Sequence, residues 1–257
     1  MNLASELGGL GPRVRVSAWP EHEHVRGYGV MGMPLSSGGV LALRVFPESD
    51  FAPYTSVWLR DPEGEWSIFV DGPRLDTACP RYFGPAVHRA QHAQITLTWT
   101  GPADLRVQMD RPELLWEFSV EATLVLRLLN ALGRPLPLST WRSPKLVGAR
   151  EWVARRVLGM GDMKLSGTMP SGHFGTMMPE RIYFIERSEA TLDGVDLGEP
   201  VRVEGNPRIG EVPLPARPVF AVGQAHWRIR DRGEYERVRQ ELARVGRTGD
   251  HSDAGTL

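Results

Sequence analysis

The segment from Tyr54 to Pro73, YTSVWLRDPEGEWSIFVDGP, contains two runs of alternating side chains on either side of a turn. Asp61 and Pro62 suit the first two positions of a type I turn, and Gly64 suits the last. Successive side chains of a strand point to opposite faces, and both faces of the first run carry apolar bulk. The segment therefore predicts a β-hairpin with one face packed against protein and the other lining a barrel interior or a cavity.

The rest of the chain continues this pattern. Its 257 residues include 28 glycines and 21 prolines spread along the whole length, which indicates many short elements joined by turns. The fold class we predict is all-β and mainly antiparallel. Strands are expected near residues 13–18, 28–34, 39–46, 54–60, 65–71, 93–100, 104–109, 163–169, 181–192, 195–203 and 218–229, with a strand passing into a short helix after residue 113.

Two amphipathic helices are expected as well. Ser143 followed by Pro144 suits a helix start, and apolar residues at helical spacing predict a helix over 145–158. Asp231 and Glu234 are spaced as a capping box, which predicts a closing helix over 232–245 against the outside of the sheet. Asp193-Gly194 is a strong signal for a two-residue hairpin turn.

The expected organisation is two β-rich halves with a disordered tail. The N-terminal half covers 13–133, and the C-terminal half with its helices covers 134–246. Residues 1–12 are glycine-rich and are expected to be frayed, and residues 247–257 to be disordered.

Charge and cysteine content limit the function classes. Lys and Arg number 30 against 31 Asp and Glu, so no global basic field exists to attract nucleic acid, and the basic cluster 150–156 is interpreted as a solvated helix face. Cys79 is the single cysteine and is expected to be a small buried side chain rather than a nucleophile. With neither a secretory leader nor a membrane span in the sequence, a cytoplasmic protein is expected.

Several segments are similar to a known family. They are GYGVMGMPLSSGGVLALRVFP, SVWLRDPEGEWSIFV, LSGTMPSGHFGTMMPERIYFIERS and TLDGVDLGEP, within residues 25–230. They resemble the two-domain lipocalin-like family that includes hydroxyneurosporene synthase (a carotenoid hydratase), AttH-like proteins and some fungal Diels-Alderases. The resemblance implies a lipocalin-like barrel, or paired barrels or sheets, whose cavity binds polyenes, terpenoids or polyketides and in some members supports hydration or cyclisation.

The tryptophans are candidates for the wall of such a cavity. Most of the eight are expected to be core residues, but Trp58, Trp99 and Trp116 on predicted strands could present flat rings to a ligand or to a carbocation. Tyr82 is a further candidate hydroxyl group near His88.

His173 and Glu117 are the candidate proton carriers. Glycines flank His173 in MPSGHFGTMMP and would allow a ligand to approach the imidazole, although a turn histidine is the structural alternative. Glu117 lies on the strand face opposite Trp116. That face is either solvated or turned inward, and an inward Glu with a raised pKa would be a general acid for an alkene.

A metal site is the remaining possibility. His22 and His24 share one strand face in the EHEH run, and His88 and His92 could complete a ligand set, although solvated loop residues are the ordinary outcome for such a run. Our prediction is no metal and no cofactor.

The sequence thus supports three hypotheses. The first is a cofactor-independent hydratase, isomerase or cyclase acting on an apolar small molecule by acid–base proton transfer. The second is a lipocalin-like carrier that only binds a hydrophobic ligand, and the third is a cupin-like metal enzyme. A homodimer is left open.

Overall fold

The fold is mostly β-sheet, as the sequence predicts. The computed structural model describes residues 2–133 and 137–249, with side chains through 244. Its strands are β1 (Arg13–Val14), β2 (His22–Pro34), β3 (Val40–Ser49), β4 (Tyr54–Arg60), β5 (Trp66–Asp71), β6 (Arg89–His92), β7 (Ile95–Trp99), β8 (Asp104–Asp110), β9 (Glu113–Glu121), β10 (Ser166–Thr168), β11 (Phe174–Leu192), β12 (Val195–Asp196), β13 (Arg208–Ile209), β14 (Val212–Pro213) and β15 (Val219–Arg228). Its helices are α1 (Leu3–Leu7), α2 (Pro80–Phe83), α3 (Leu124–Gly133), α4 (Pro144–Arg156) and α5 (Arg232–Gly249).

Thirteen strands of the described residues form one sheet. Its order is β6-β5-β4-β3-β2-β15-β11-β9-β8-β7, with β1 beside β3 and with β10 and β12 beside β11. Neighbours are antiparallel except at two short edges, where β1 joins β3 and β6 joins β5. The long antiparallel strands give the sheet its curl into a half-barrel.

The two turns identified in the sequence have the predicted chemistry. Asp61 accepts a hydrogen bond from the backbone N–H of Glu65 at 2.7 Å, and Gly64 has a φ of 102°. Asp193 and Gly194 both adopt positive φ, as a type I′ turn requires, and join β11 to β12. Local turn geometry therefore sets the register of both hairpins.

The curled sheet has an inner face and an outer face, each with its own core. Side chains of strands near opposite ends of the order meet in the inner core, as Phe69 of β5 and Leu105 of β8 do. The outer face carries the alternate residues, including Ala42 and Trp58, and is covered by loops and short elements. A third cluster contains Leu126 of α3 and Val219 of β15.

Five sequence expectations need correction. Residues 1–12 are not frayed throughout, because Leu3 and Leu7 of α1 are buried in the inner core. The EHEH run is not a solvated loop: β2 begins at His22, and Glu23 and His24 are buried. The strands expected over 13–18 and 195–203 have only their first two residues, Arg13–Val14 and Val195–Asp196, and β11 begins seven residues before the expected 181.

The two amphipathic helices expected from the sequence, α4 and α5, agree closely with the structure. Pro144 opens α4 after Ser143, although the Ser143 hydroxyl makes no capping hydrogen bond. Asp231 caps α5 by accepting from the backbone N–H of Glu234 at 2.9 Å. This helix continues to Gly249, and residues 250–257 of the expected disordered tail lie outside the described residues.

Candidate functional site

The main cavity lies on the outer face of the sheet, under α3 and α4. Its volume is about 430 Å³. Strands β2, β3, β4, β11 and β15 form its floor, and α3 and α4 form its cover. The inside of the half-barrel, by contrast, is filled with side chains. The cavity is therefore placed between sheet and helices rather than in a barrel lumen.

Most of the cavity wall is apolar and adaptable. Five methionines take part, which gives a soft lining of unbranched side chains. They are Met31, Met160, Met163, Met177 and Met178. Three indole rings, those of Trp58, Trp141 and Trp227, add flat apolar surface. Such a lining suits an apolar small molecule.

The cavity opens between the two covering helices. Leu132 of α3 and Leu146 of α4 both line the cavity, yet they are 61% and 46% exposed. The solvent side of α3 is also apolar, because Leu124 and Leu128 are exposed. None of the helices in the described part of the chain is both long and apolar enough to cross a bilayer.

Arg44 is the buried charge in this cavity. It lies on β3 and is 8% exposed. Its guanidinium donates to the backbone carbonyls of Leu43 (3.0 Å), Met31 (3.0 Å) and Val30, and it stands 4.7 Å from the centre of the Trp58 ring. Burial lowers the pKa of Arg44 to about 10, so the side chain is still a cation at neutral pH.

A small group of hydroxyl and thiol side chains surrounds Cys79 next to Arg44. The Cys79 sulfur lies 3.4 Å from the Tyr54 hydroxyl and 3.4 Å from the Ser56 hydroxyl, and Ser56 accepts from the Trp58 indole at 3.1 Å. Burial raises the pKa of Cys79 and that of Tyr54. Both groups are therefore neutral, and Cys79 is the buried side chain expected from the sequence.

Among the described residues, one carboxylate reaches the cavity wall, that of Glu180 on β11. It accepts from Arg26 at 2.8 Å and from the Gln224 amide at 3.1 Å, and it is partly exposed. Arg26 thus compensates the negative charge of Glu180 at the edge of the cavity.

A buried polar network stands behind the cavity wall. Glu23 is fully buried, forms a two-point ion pair with Arg81 at 2.7 and 2.9 Å, and accepts from the Tyr82 hydroxyl at 2.6 Å. The Tyr82 ring stacks on Trp227 at 3.8 Å, and Trp227 lines the cavity. Stacking of Tyr82 on Trp227 thus connects this network to the cavity wall.

His173 belongs to this network. It is buried, its Nδ1 lies 2.8 Å from the Ser171 hydroxyl, and its ring meets Tyr82 edge to face at 5.4 Å. Burial lowers the pKa of His173, which favours neutral imidazole. The ring is not among the described side chains that line the cavity.

The other predicted site residues are dispersed. Trp58 lines the cavity, as does Trp227, which sequence reasoning did not single out. Trp116 and Trp99 belong to the inner core on the opposite face, and the Trp116 indole donates to Ser188 at 2.9 Å. Glu117 is about 42% exposed and paired with Arg106, in line with the solvated alternative.

The histidines expected as possible metal ligands are also separated. His88 is exposed and lies 2.9 Å from Glu65, while His22 hydrogen-bonds the backbone carbonyl of Pro20 at 2.7 Å. Within residues 2–133 and 137–249, no group of three or more His, Cys, Asp and Glu side chains is arranged to hold a metal ion. His24 instead packs against His226, with ring centres 4.9 Å apart.

Arg44 is the buried charged residue of the cavity that sequence reasoning missed. The signal was present in VLALRVF, where Arg44 interrupts an apolar run and shares a strand face with Ala42 and Phe46. A charge on a face that is otherwise apolar is unusual for a buried strand.

Comparison of the chain with protein-family models, curated proteins and solved structures gives no match, so the site is interpreted from its own geometry.

Proposed function

We propose that this protein binds an apolar small molecule in the cavity beneath α3 and α4. The observation that carries the proposal is a cavity of about 430 Å³ with five methionines and three indole rings in its wall. Ligand pockets in proteins are concave and mainly apolar, with volumes of roughly 300–1,000 Å³. Reversible binding, as in a carrier, is the best-supported activity.

The experiment is a titration with a matched pair of variants. Ala149 of α4 lines the cavity, and Ala149→Trp would fill part of it from a partly solvated helix position. Ala243→Trp makes the same change on the exposed side of α5 and is the control. Quenching of tryptophan fluorescence by terpenoid, polyene and fatty-chain probes should weaken about tenfold in Ala149→Trp only.

Mass spectrometry of the gently purified protein gives an independent reading. An apolar molecule that co-purifies with the wild-type protein but not with Ala149→Trp supports the proposal. No bound molecule, together with no saturable quenching by any probe class, would contradict it.

The acid–base enzyme expected from the sequence is the second candidate. The arrangement that favours it is the Glu23–Tyr82–His173 group, which reaches the cavity wall through Trp227. Product formation from a bound terpenoid or polyene, detected by chromatography, separates an enzyme from a carrier. Chemically unchanged ligand after prolonged incubation favours the carrier.

A further inference from the structure

Arg44 carries a charge for which the described chain supplies no counter-ion. Among residues 2–133 and 137–249, no carboxylate lies within 4.0 Å of its guanidinium nitrogens. Glu180 is the carboxylate at the cavity wall, and it is paired with Arg26 and hydrogen-bonded to Gln224. The titratable groups that interact electrostatically with Arg44 are Cys79 and Tyr54, and both are protonated because burial raises the pKa of each.

Hydrogen bonds to backbone carbonyls occupy three of the five guanidinium N–H donors of Arg44, and these carbonyls supply no negative charge. The carbonyls of Val30 and Met31 lie where the register between β2 and β3 shifts, so they are free to accept from a side chain. The Trp58 ring offers one polarisable face. A buried cation with only neutral partners is unfavourable, and an incoming anion would relieve that cost.

We propose that the cavity selects amphipathic carboxylates, with the head group paired to Arg44 and the apolar body against the methionine-rich wall. This inference rests on the proposed ligand-binding function and narrows its ligand class. A guanidinium is planar and forms two parallel hydrogen bonds to a carboxylate, which gives it a preference for that head group. The competing explanation is that Arg44 only holds the irregular β2–β3 pairing together.

The first experiment uses the unmodified protein and three probes with the same twelve-carbon chain. They are dodecanoate, dodecan-1-ol and dodecylammonium, measured by calorimetry below their aggregation limits. We expect dodecanoate to bind about 10- to 100-fold more tightly than the alcohol, since hydrogen bonds to charged groups contribute this much, and the ammonium ion to bind most weakly.

The outcomes distinguish failure of the carboxylate preference from failure of the proposed ligand-binding function. Equal affinity for the acid and the alcohol overturns the role of Arg44 and leaves a ligand-binding cavity. Failure of all three probes and of the wider probe set removes the ligand-binding function itself. This comparison needs no mutation and therefore holds even if variants of Arg44 do not fold.

Substitution of Arg44 then tests whether this side chain causes the preference for dodecanoate over dodecan-1-ol. Arg44→Gln retains hydrogen-bond donors for the carbonyls but removes the charge, and it should abolish the preference for dodecanoate while affinity for dodecan-1-ol changes less than about threefold. Arg106→Gln, on β8 away from the cavity, controls for a general change in protein charge.

Arg150 is the rival cation, because it also lines the cavity. It hydrogen-bonds Thr140 and lies 4.0 Å from the Trp141 ring centre, where it is partly solvated. Loss of the preference in Arg150→Gln with its retention in Arg44→Gln would overturn the assignment to Arg44.

Discussion

At the residue scale, Asp50 is a carboxylic acid fully enclosed by protein. Its Oδ2 accepts from the Tyr235 hydroxyl at 3.2 Å, while its Oδ1 has no hydrogen-bond partner within the described structure. Burial raises the pKa of Asp50 to about 7, above its ordinary value of 3.8. The folded protein therefore holds this proton more tightly than the unfolded chain does.

Replacement of Asp50 should consequently change the pH dependence of stability. Below about pH 4 the acid is protonated in both states and contributes no pH slope, whereas above about pH 7 the folded state carries the buried charge. We expect Asp50→Asn to gain roughly 3–4 kcal/mol relative to wild type between pH 4 and pH 8, because each unit of the pKa difference between the folded and unfolded states contributes about 1.4 kcal/mol. Urea unfolding across this range measures the difference, and a constant difference would contradict the prediction.

The exposed Asp110 provides the control for this measurement. Asp110→Asn on β8 should change the free energy of unfolding by less than about 0.5 kcal/mol at any pH in the range.

Substitution of His173 tests its contribution to stability and its role in proton transfer in the same variant. Its burial and its contacts with Ser171 and Tyr82 lead us to expect that His173→Gln lowers the free energy of unfolding by about 1–3 kcal/mol. Ligand affinity should be unchanged, since the ring does not line the cavity. If His173 moves a proton, product formation falls about 100-fold at an equal folded fraction, so rate and melting temperature are measured side by side.

At the element scale, α3 is attached to the sheet through one side only. Leu126 is fully buried, whereas Leu128, half a turn further on, is 61% exposed. Leu126→Ala should therefore destabilise the protein by about 2–4 kcal/mol, and Leu128→Ala by less than about 0.5 kcal/mol. Denaturant unfolding of the two variants tests this. Similar losses of unfolding free energy in the two variants would show that α3 is not attached to the sheet through Leu126.

Elements defined by local chemistry were predictable from the sequence. The hairpin over 54–71 and the Asp193-Gly194 turn depend on residues within a few positions of each other. Helix α1 was missed because five residues give no periodic signal, and its order comes from the burial of Leu3 and Leu7 against distant strands.

The position of the cavity could not be predicted for a related reason. Alternation shows that both faces of a strand such as β4 are apolar, but it does not show which face the helices cover. The expected site residues Trp58, Trp99 and Trp116 consequently divide between the two faces. Arg44 was recognisable as a charge in an apolar run, whereas its lack of a counter-ion depends on the tertiary structure.

At the scale of the whole molecule, both expected halves of the chain contribute to one sheet. Strand β2 pairs with β15, and β9 pairs with β11, so each expected half would expose unpaired strand edges on its own. We expect residues 1–133, produced alone, to lack a cooperative unfolding transition, and co-production with 134–257 to restore it. Circular dichroism during urea titration is the measurement. A stable, cooperative 1–133 fragment would establish an independent N-terminal domain.

The β2–β15 pair also has a consequence for synthesis on the ribosome. Gly27 and Gly223 lie opposite each other in this pair but 196 positions apart in the sequence, so the centre of the sheet cannot form until both segments have been synthesised. Until then the edge of β2 is open, and contacts of such long sequence separation form slowly. The nascent chain therefore passes through a long interval in which that edge is open to pairing with other polypeptides.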